Sequence, residues 1–321
     1  MNKVPIENIH TGEVNIISFP EFSEKLNISV AKCGIIQPII LSRIAGNNYE
    51  LVSGLRRFNV CKMLGSKDIP AIILEKALTP IEIFNTNLED NLSSRRLNLI
   101  EISNVLNILK NTLNLDEHAI RVKYMPMLNL PGDIKYMEYY LFVARLSSDI
   151  KMELLNKNIS VDIVSHIKDW PTSSIESLLP LLLEFNFGTN KLFQLLTLIN
   201  EISVRDNKPL ENPLSSAEWL SVYNKEMPLF QKGLWLREYL LSLRYPRYTA
   251  LTSKLKHAIH NLKLPKYISL STDELLTLEK KHLNFSVLCK KTDDLSSSGQ
   301  YLAELAKSEE IKRIVTILNE E

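Results

Sequence analysis

Two arginines follow a glycine at the point where a predicted strand, residues 49–52, gives way to a predicted helix, residues 56–64. Gly54 lies in the turn, and backbone N–H groups at the start of a helix attract anions. Arg56 and Arg57 oppose the helix dipole there, and they are better explained if a phosphate lies over the turn and accepts their forked donors. The alternative is a solvated basic pair beside an acidic surface, which this segment alone would favour.

Two consecutive residues, Asp90 and Asn91, offer oxygen ligands for a metal ion. Mg²⁺ is usually held by one or two protein oxygens together with phosphates. The alternative is an ordinary helix end or turn, where both residue types are common. Gln37-Pro38 comes before an apolar run, and by itself it is typical of the entry to a strand, because proline breaks pairing on one side.

The elements that must position these residues form a predicted αββαβ unit. In order, they are a helix over 22–33, strands over 35–44 and 49–52, a helix over 56–64 and a strand over 69–74. Glycines at 34 and 65 end the two helices. These short elements place the glycine turn inside a small α/β domain.

From Thr79 onward the pattern is helical. Thr79-Pro80 with Glu82 is a helix start, and a loop is expected around Ser93-Ser94. Asn98 and Glu101 have capping-box spacing and begin a helix that is expected to reach about Leu113.

Three segments carry a resemblance to a known family. They are GIIQPII at 34–40, YELVSGLRRF at 49–58, and EDNL followed by LNLIE between 89 and 101. Their order and spacing resemble the three motifs GxxQPxxV, YxLxxGxRR and ENxxRxxLxPxE of the N-terminal domain of ParB partition proteins. The resemblance covers about the first 110 residues well and extends more faintly to about residue 170.

The resemblance implies a site for CTP, or another nucleotide, with Mg²⁺. The residues implied to bind the nucleotide are Gln37, Gly54, Arg56, Arg57 and Asn91. Those implied to hold the metal are Asp90 and Asn91, and Asp90 is also the implied catalytic residue of a weak nucleotide triphosphatase. With the three motifs together, phosphate binding becomes the favoured interpretation of the arginine pair.

The sequence departs from the family at four positions. The family usually has a polar residue where this chain has Leu55, and Glu where it has Asp90. It usually has Arg where this chain has Ser94, and Pro where it has Leu99. Turnover depends on placement to within about an ångström, and Asp90 is one methylene shorter than Glu. The site is therefore interpreted as a nucleotide-binding switch before it is interpreted as a catalyst.

The predicted fold class is α+β in four parts. They are a ParB-type mixed α/β nucleotide-binding domain (1–110), a helix-turn-helix-like all-α domain (111–170), a helical domain with a basic patch (171–263) and a small α/β unit (264–321). The last part is expected because apolar residues alternate near 268–270, 276–278 and 283–287, which is typical of strands. A final helix is predicted from Ser298.

Local charge points to two places for DNA binding. The helix-turn-helix segment, 111–170, carries seven Lys/Arg against eight Asp/Glu, and this balance attracts phosphate poorly. Residues 232–266 carry eight Lys/Arg against Glu238 alone, with tyrosines between them. The alternative for this patch is a solvated helix face with half-buried tyrosines. The residues expected to contact DNA are Arg237, Arg244, Arg247, Lys254 and Lys256.

By resemblance the chain is a DNA-binding protein of plasmid or chromosome partition, in which nucleotide closes a dimer into a clamp around DNA. The implied partners are DNA, a second copy and a partition ATPase. The expected location is the cytoplasm, on the nucleoid or a plasmid, because three scattered cysteines fit a reducing compartment and no long apolar run suggests a membrane span.

Three other functions stay open. A small-molecule (serine-type) kinase on the same fold would need an acidic group near Leu55. A nuclease would need more acidic ligands than Asp90. A nucleotide-free scaffold would bind another protein through the apolar helices at 172–204.

Overall fold

The structure is a computed structural model that describes residues 2–262, 264–272, 283–289 and 291–319. Contacts within the chain divide it into two compact units, residues 1–196 and 197–321. In the described ranges no helix is long and apolar enough to cross a membrane. The finer division into four domains stays a prediction.

A five-stranded mixed sheet lies in the first unit. Its strands are β1 (Asn2–Pro5), β2 (Ile9–His10), β3 (Ile39–Arg43), β4 (Tyr49–Ser53) and β5 (Asp68–Leu74). Their order is β1-β5-β3-β4-β2, with β1–β5 and β3–β4 antiparallel and β3–β5 and β2–β4 parallel. The predicted mixed α/β class is confirmed, since apolar β-branched runs supply strands whose side chains Ile39, Leu41, Leu51 and Ile69 are fully buried.

Two helices, α1 (Glu24–Cys33) and α2 (Leu55–Met63), complete the predicted αββαβ order. Val30, Leu55 and Phe58 pack into the same core as the strands. The predicted strand over 35–44 is too long, because its first four residues leave the sheet. The short strands β1 and β2, with four and two residues, gave no detectable pattern in the sequence.

The next two helices, α3 (Pro80–Ser94) and α4 (Leu99–Asn107), begin where the sequence predicted, and each begins with a capping box. The expected loop at Ser93-Ser94 is wrong. Both residues lie in the last turn of α3, where their hydroxyls donate to the Asp90 carbonyl at 2.9 and 3.0 Å. The chain leaves the helix at Arg95 instead.

The rest of the first unit is helical, as expected for residues 111–170. After α4 the chain continues in a π-helical turn over Ile108–Thr112. The following helices are α5 (Glu117–Ala119), α6 (Met125–Met127), α7 (Ile134–Arg145), α8 (Ser148–Asn156), α9 (Val164–Ile167) and α10 (Thr172–Glu184). Helix α7 packs against α4, and α11 (Thr189–Asp206) crosses the boundary between the units.

The described part of the second unit contains helices and an antiparallel pair of strands. Its elements are α12 (Ala217–Tyr223), α13 (Leu229–Arg244), α14 (Pro246–Asn261), β6 (Ile268–Thr272), β7 (Leu283–Val287), α15 (Thr292–Leu305) and α16 (Glu309–Asn319). The strand expected at 276–278 lies outside the described residues. The prediction of a single final helix from Ser298 is wrong, since α15 and α16 are separate helices. Ser308 accepts a hydrogen bond from the Ile311 N–H and so marks the start of α16.

Candidate anion-binding site at the start of α2

Gly54 turns the chain from β4 into α2 with φ 104 and ψ 25. This left-handed conformation disfavours side chains. A Cβ atom at this position would lie 2.7 Å from the Ile39 Cγ2 atom, so space and conformation both demand glycine. The backbone N–H groups of the first turn of α2 have no partners within the helix and form a potential anion site.

Arg57 lies beside this turn and holds the segment that precedes β3. Its Nη1 atom donates to the carbonyl oxygens of Gln37 at 2.9 Å and Pro38 at 2.6 Å. Burial lowers the pKa of Arg57, while the charge of Asp90 acts in the opposite direction. These contacts explain why residues 35–38 leave the predicted strand, and they bring the first two sequence motifs together.

Asp90 joins the third motif to the same place. Its Oδ2 atom accepts a hydrogen bond from the hydroxyl of Ser53, the buried last residue of β4. The end of α3 is therefore tied to the residue just before Gly54. A carboxylate thus lies beside the turn and within the electrostatic reach of Arg57.

The side chain of Asn91 contacts Asn87 within α3 and Arg95, the first residue after that helix. Its Nδ2 atom donates to the Asn87 carbonyl oxygen and side-chain oxygen at 2.8 and 2.9 Å. Its Oδ1 atom accepts a hydrogen bond from Arg95 Nη2 at 2.8 Å. The oxygen predicted to be a metal ligand therefore faces a guanidinium group in this structure.

Arg56 points to a different neighbour from Arg57. It donates to the carbonyl oxygens of Phe19 at 3.0 Å and Pro20 at 2.9 Å, and to Glu101 Oε1 at 2.9 Å. Burial lowers its pKa, and Glu101 opposes that shift. Arg56 thus attaches the loop before α1 to the start of α4, and its contact with a nucleotide stays a prediction.

Glu101, which the sequence placed in the third motif and in a capping box, lies at the centre of a buried cluster of charges. Its side chain is fully buried and accepts four hydrogen bonds. Oε1 receives Arg56 and the Phe19 N–H at 3.2 Å, whereas Oε2 receives Arg95 Nη1 at 2.5 Å and the Asn98 N–H at 3.0 Å. A capping-box position gives no signal for partners so distant in sequence, so these contacts became visible only in the fold.

The geometry fits one protein ligand for Mg²⁺ better than two. Among the described residues no group of three or more His, Cys, Asp or Glu could hold a metal. Asp90 offers a carboxylate beside the glycine turn, and one carboxylate with phosphates and waters is a usual magnesium environment. Asn91 could contribute its oxygen only after Arg95 has moved away from it. Leu55 is buried in the sheet core, so position 55 presents no polar group here.

The predicted DNA-binding residues lie in the second unit. Arg244 pairs with Glu201 at 2.8 Å and lies over the Tyr245 ring at 4.7 Å. On α14, Arg247, Lys254 and Lys256 are exposed, and Arg237 is partly buried on α13. A cavity of about 580 Å³ beside α14 is lined by polar residues that include Lys254, His257, Asn261, Glu310 and Arg313.

Comparison with known families identifies the domain that contains the glycine turn. Residues 1–92 match the family model of the ParB N-terminal domain. This region is similar to the ParB N-terminal domain family. The resemblance to the ParB N-terminal domain is therefore confirmed, and the turn at Gly54 lies inside the matched region.

Two related proteins match longer stretches of the chain than the family model does. The chain is 29% identical over 147 residues to the chromosome-partitioning protein ParB of Myxococcus xanthus (strain DK1622), covering 42% of this chain and 49% of that protein. It is 30% identical over 137 residues to a nucleoid occlusion protein of Bacillus thuringiensis (strain Al Hakam), covering 43% of this chain and 44% of that protein. The chain therefore spans about half the length of the curated relatives it matches.

Two crystal structures of C-terminally truncated ParB from Caulobacter crescentus were also found. The one complexed to the centromeric parS site has a TM-score of 0.35 and 15% identity, covering 61% of this chain and 98% of that chain. The one complexed with CTP-gamma-S has a TM-score of 0.26 and 16% identity, covering 56% and 98%. The similarity to ParB therefore rests on the sequence match over residues 1–92.

Proposed function

We propose that this chain is a DNA-binding partition protein whose N-terminal site binds CTP with Mg²⁺ and switches a dimeric clamp. One observation carries the proposal: the turn at Gly54 collects groups from all three motifs, with Arg57 on the Gln37 carbonyl and Asp90 on the preceding Ser53. A phosphate over the start of α2 would meet backbone N–H groups and nearby guanidinium groups.

The charge balance supports an anionic ligand. Arg56, Arg57 and Arg95 supply three guanidinium groups, whereas Asp90 and Glu101 supply two carboxylates. Partly buried charges are stable only when they are compensated. A phosphate would supply the missing negative charge, so a nucleotide fits this cluster better than a neutral ligand does.

Bound Mg²⁺ would neutralise phosphate charge beside Asp90. The hydrogen bond from Ser53 fixes the Asp90 carboxylate next to the turn, where it would meet a metal ion bound to the phosphates. Arg57 holds the Gln37-Pro38 segment beside the turn, and the glycine at position 54 allows Ile39 of β3 to pack closely against that turn. A weak triphosphatase activity through Asp90 belongs to the same proposal.

The partners proposed for the whole protein are DNA, a second copy of the chain and a partition ATPase, with residence on the nucleoid or a plasmid. The 29% identity over 147 residues to a chromosome-partitioning protein supports this proposal. DNA contacts are proposed both in the helix-turn-helix-like segment at 111–170 and in the basic patch at 232–266.

A gel-shift and crosslinking series with and without CTP and Mg²⁺ tests the switch. One cysteine introduced in the N-terminal domain of each copy should crosslink to its counterpart more efficiently in the presence of nucleotide and DNA. The lifetime of the protein–DNA complex should also change when nucleotide is added. An enzyme acting on a small molecule would instead turn nucleotide over only with an acceptor. If the crosslinking yield and the retention of DNA are the same with and without CTP, the clamp is contradicted.

The basic patch makes a separate prediction about DNA binding. Arg247 and Lys256 are exposed on α14. Each phosphate contact contributes about 0.9 to the slope of log K against log salt, so the double variant Arg247→Ala/Lys256→Ala should reduce the magnitude of that slope by about 2. Fluorescence anisotropy with duplex DNA over a KCl series measures it. Lys225→Ala, an exposed lysine outside the patch, is the control and should leave the slope unchanged; an unchanged slope in the double variant would place the contacts elsewhere.

A further inference from the structure

The segment after α3 has an arginine at position 95, one position later than the arginine of the ParB motif ENxxRxxLxPxE that it resembles. Ser94 stands where the motif has arginine, and its hydroxyl donates to the carbonyls of Asp90 and Asn91 at 3.0 and 3.1 Å. Arg95 instead reaches back into the site, with Nη2 on Asn91 and Nη1 on Glu101. A cationic group is therefore retained at this end of the site, but it comes from the neighbouring residue.

Glu101 fixes this guanidinium without fully neutralising its surroundings. The buried carboxylate is shared between Arg56 and Arg95, so two positive charges face one negative charge. The Arg95 side chain is 29% exposed, so a ligand can reach it. An incoming anion could therefore contact Arg95 while Glu101 still holds it.

The same guanidinium group obstructs the predicted metal ligand. Asn91 has one side-chain oxygen, which accepts the Arg95 bond, while its amide nitrogen donates within α3. A divalent cation at this oxygen would also meet the positive charge of Arg95. The metal can therefore use Asn91 only when Arg95 has another acceptor.

We propose that Arg95 gates the metal site by exchanging Asn91 for a phosphate. An arriving phosphate would take the Nη2 donor, Glu101 would retain the Nη1 donor, and the Asn91 oxygen would become available to Mg²⁺. Nucleotide and metal would then bind cooperatively, and metal would bind poorly on its own. This gate rests on the proposed nucleotide function, and Glu101 acts in it as a positioning residue.

Binding of Mn²⁺ and CTP to the full chain tests the gate. In Arg95→Ala without nucleotide, Mn²⁺ followed by electron paramagnetic resonance should bind at least fivefold more tightly than to the unmodified protein. CTP in the presence of EDTA should bind at least tenfold more weakly. A purely structural role for Arg95 would weaken both ligands, so the gain in metal binding is specific to a gate.

Controls separate the gate from the proposed function. Arg96→Ala removes the neighbouring exposed charge and should behave like the unmodified protein. Arg95→Ala still leaves Glu101 paired with Arg56, and Arg95→Gln provides a second variant that retains polar contacts if alanine unfolds the domain. The gate alone would be overturned if the unmodified protein binds CTP normally and both Arg95 variants bind Mn²⁺ and CTP with the same affinities as it does. Absence of CTP binding by the unmodified protein would overturn the proposed function and the gate with it.

Discussion

Replacing Glu101 with glutamine is expected to lower the free energy of unfolding by about 3 kcal/mol. The fully buried carboxylate accepts hydrogen bonds from Arg56 and Arg95, and the amide cannot balance either charge. Removing one partner of a buried ion pair typically costs about 3–5 kcal/mol. The lower end applies because the two arginine side chains are 26% and 29% exposed and can be partly hydrated.

Thermal unfolding of the full chain and hydrogen exchange measure this effect. A loss of about 3 kcal/mol should lower the transition that includes residues 1–196 by roughly 6–12 °C. Amide exchange should accelerate first in residues 99–107 and around Phe19, which the carboxylate connects. Glu89→Gln, an exposed glutamate on α3, is the matched control and should change little. A similar small effect for both variants would show that the buried cluster does not stabilise the fold.

Replacing Gly54 with alanine is expected to cost about 2–4 kcal/mol of stability and to abolish nucleotide binding. The backbone there has φ 104, and the added Cβ would lie 2.7 Å from Ile39 Cγ2 and 3.3 Å from Arg57 Nη2. Both β3 and Arg57 would have to move. Because Arg57 holds the Gln37-Pro38 segment, the same displacement would disrupt the proposed phosphate site.

Two other glycines separate backbone strain from steric overlap. Gly46 and Gly65 have φ values of 57 and 67, and a Cβ atom at either would meet nothing within 4 Å. Gly46→Ala and Gly65→Ala should therefore cost only about 1 kcal/mol each and leave nucleotide binding intact. Chemical denaturation and CTP titration of the three variants provide the comparison. Equal effects at all three positions would contradict the claim that close approach makes Gly54 special.

The local features of the fold could be predicted from the sequence because they depend on neighbouring residues. The glycine turn at 54 and the capping boxes at Thr79 and Asn98 involve contacts within a few residues. The cluster at Glu101 could not be predicted in this way. Its contact with the Phe19 N–H joins residues 82 positions apart, and no periodic pattern encodes such a pairing.

The motif also could not predict that the side chains of Arg56 and Arg57 contact different neighbours. Consecutive residues on a helix point about 100° apart, because 3.6 residues complete a turn. Arg57 therefore meets Gln37 and Pro38, while Arg56 meets Glu101. The sequence predicted a basic pair at an anion site, and only the fold distinguishes the arginine beside the glycine turn from the one that joins the loop to α4.

Isothermal calorimetry of CTP with Mg²⁺ on the full chain tests most directly whether the turn at Gly54 is a nucleotide site. Saturable binding to one site per chain is predicted, and Arg57→Ala should weaken it at least tenfold because Arg57 both carries charge and holds the Gln37-Pro38 segment. Lys62→Ala removes an exposed charge farther along α2 and should bind CTP normally. No detectable binding of CTP, ATP or ADP, or identical binding by Arg57→Ala and the unmodified protein, would contradict this account.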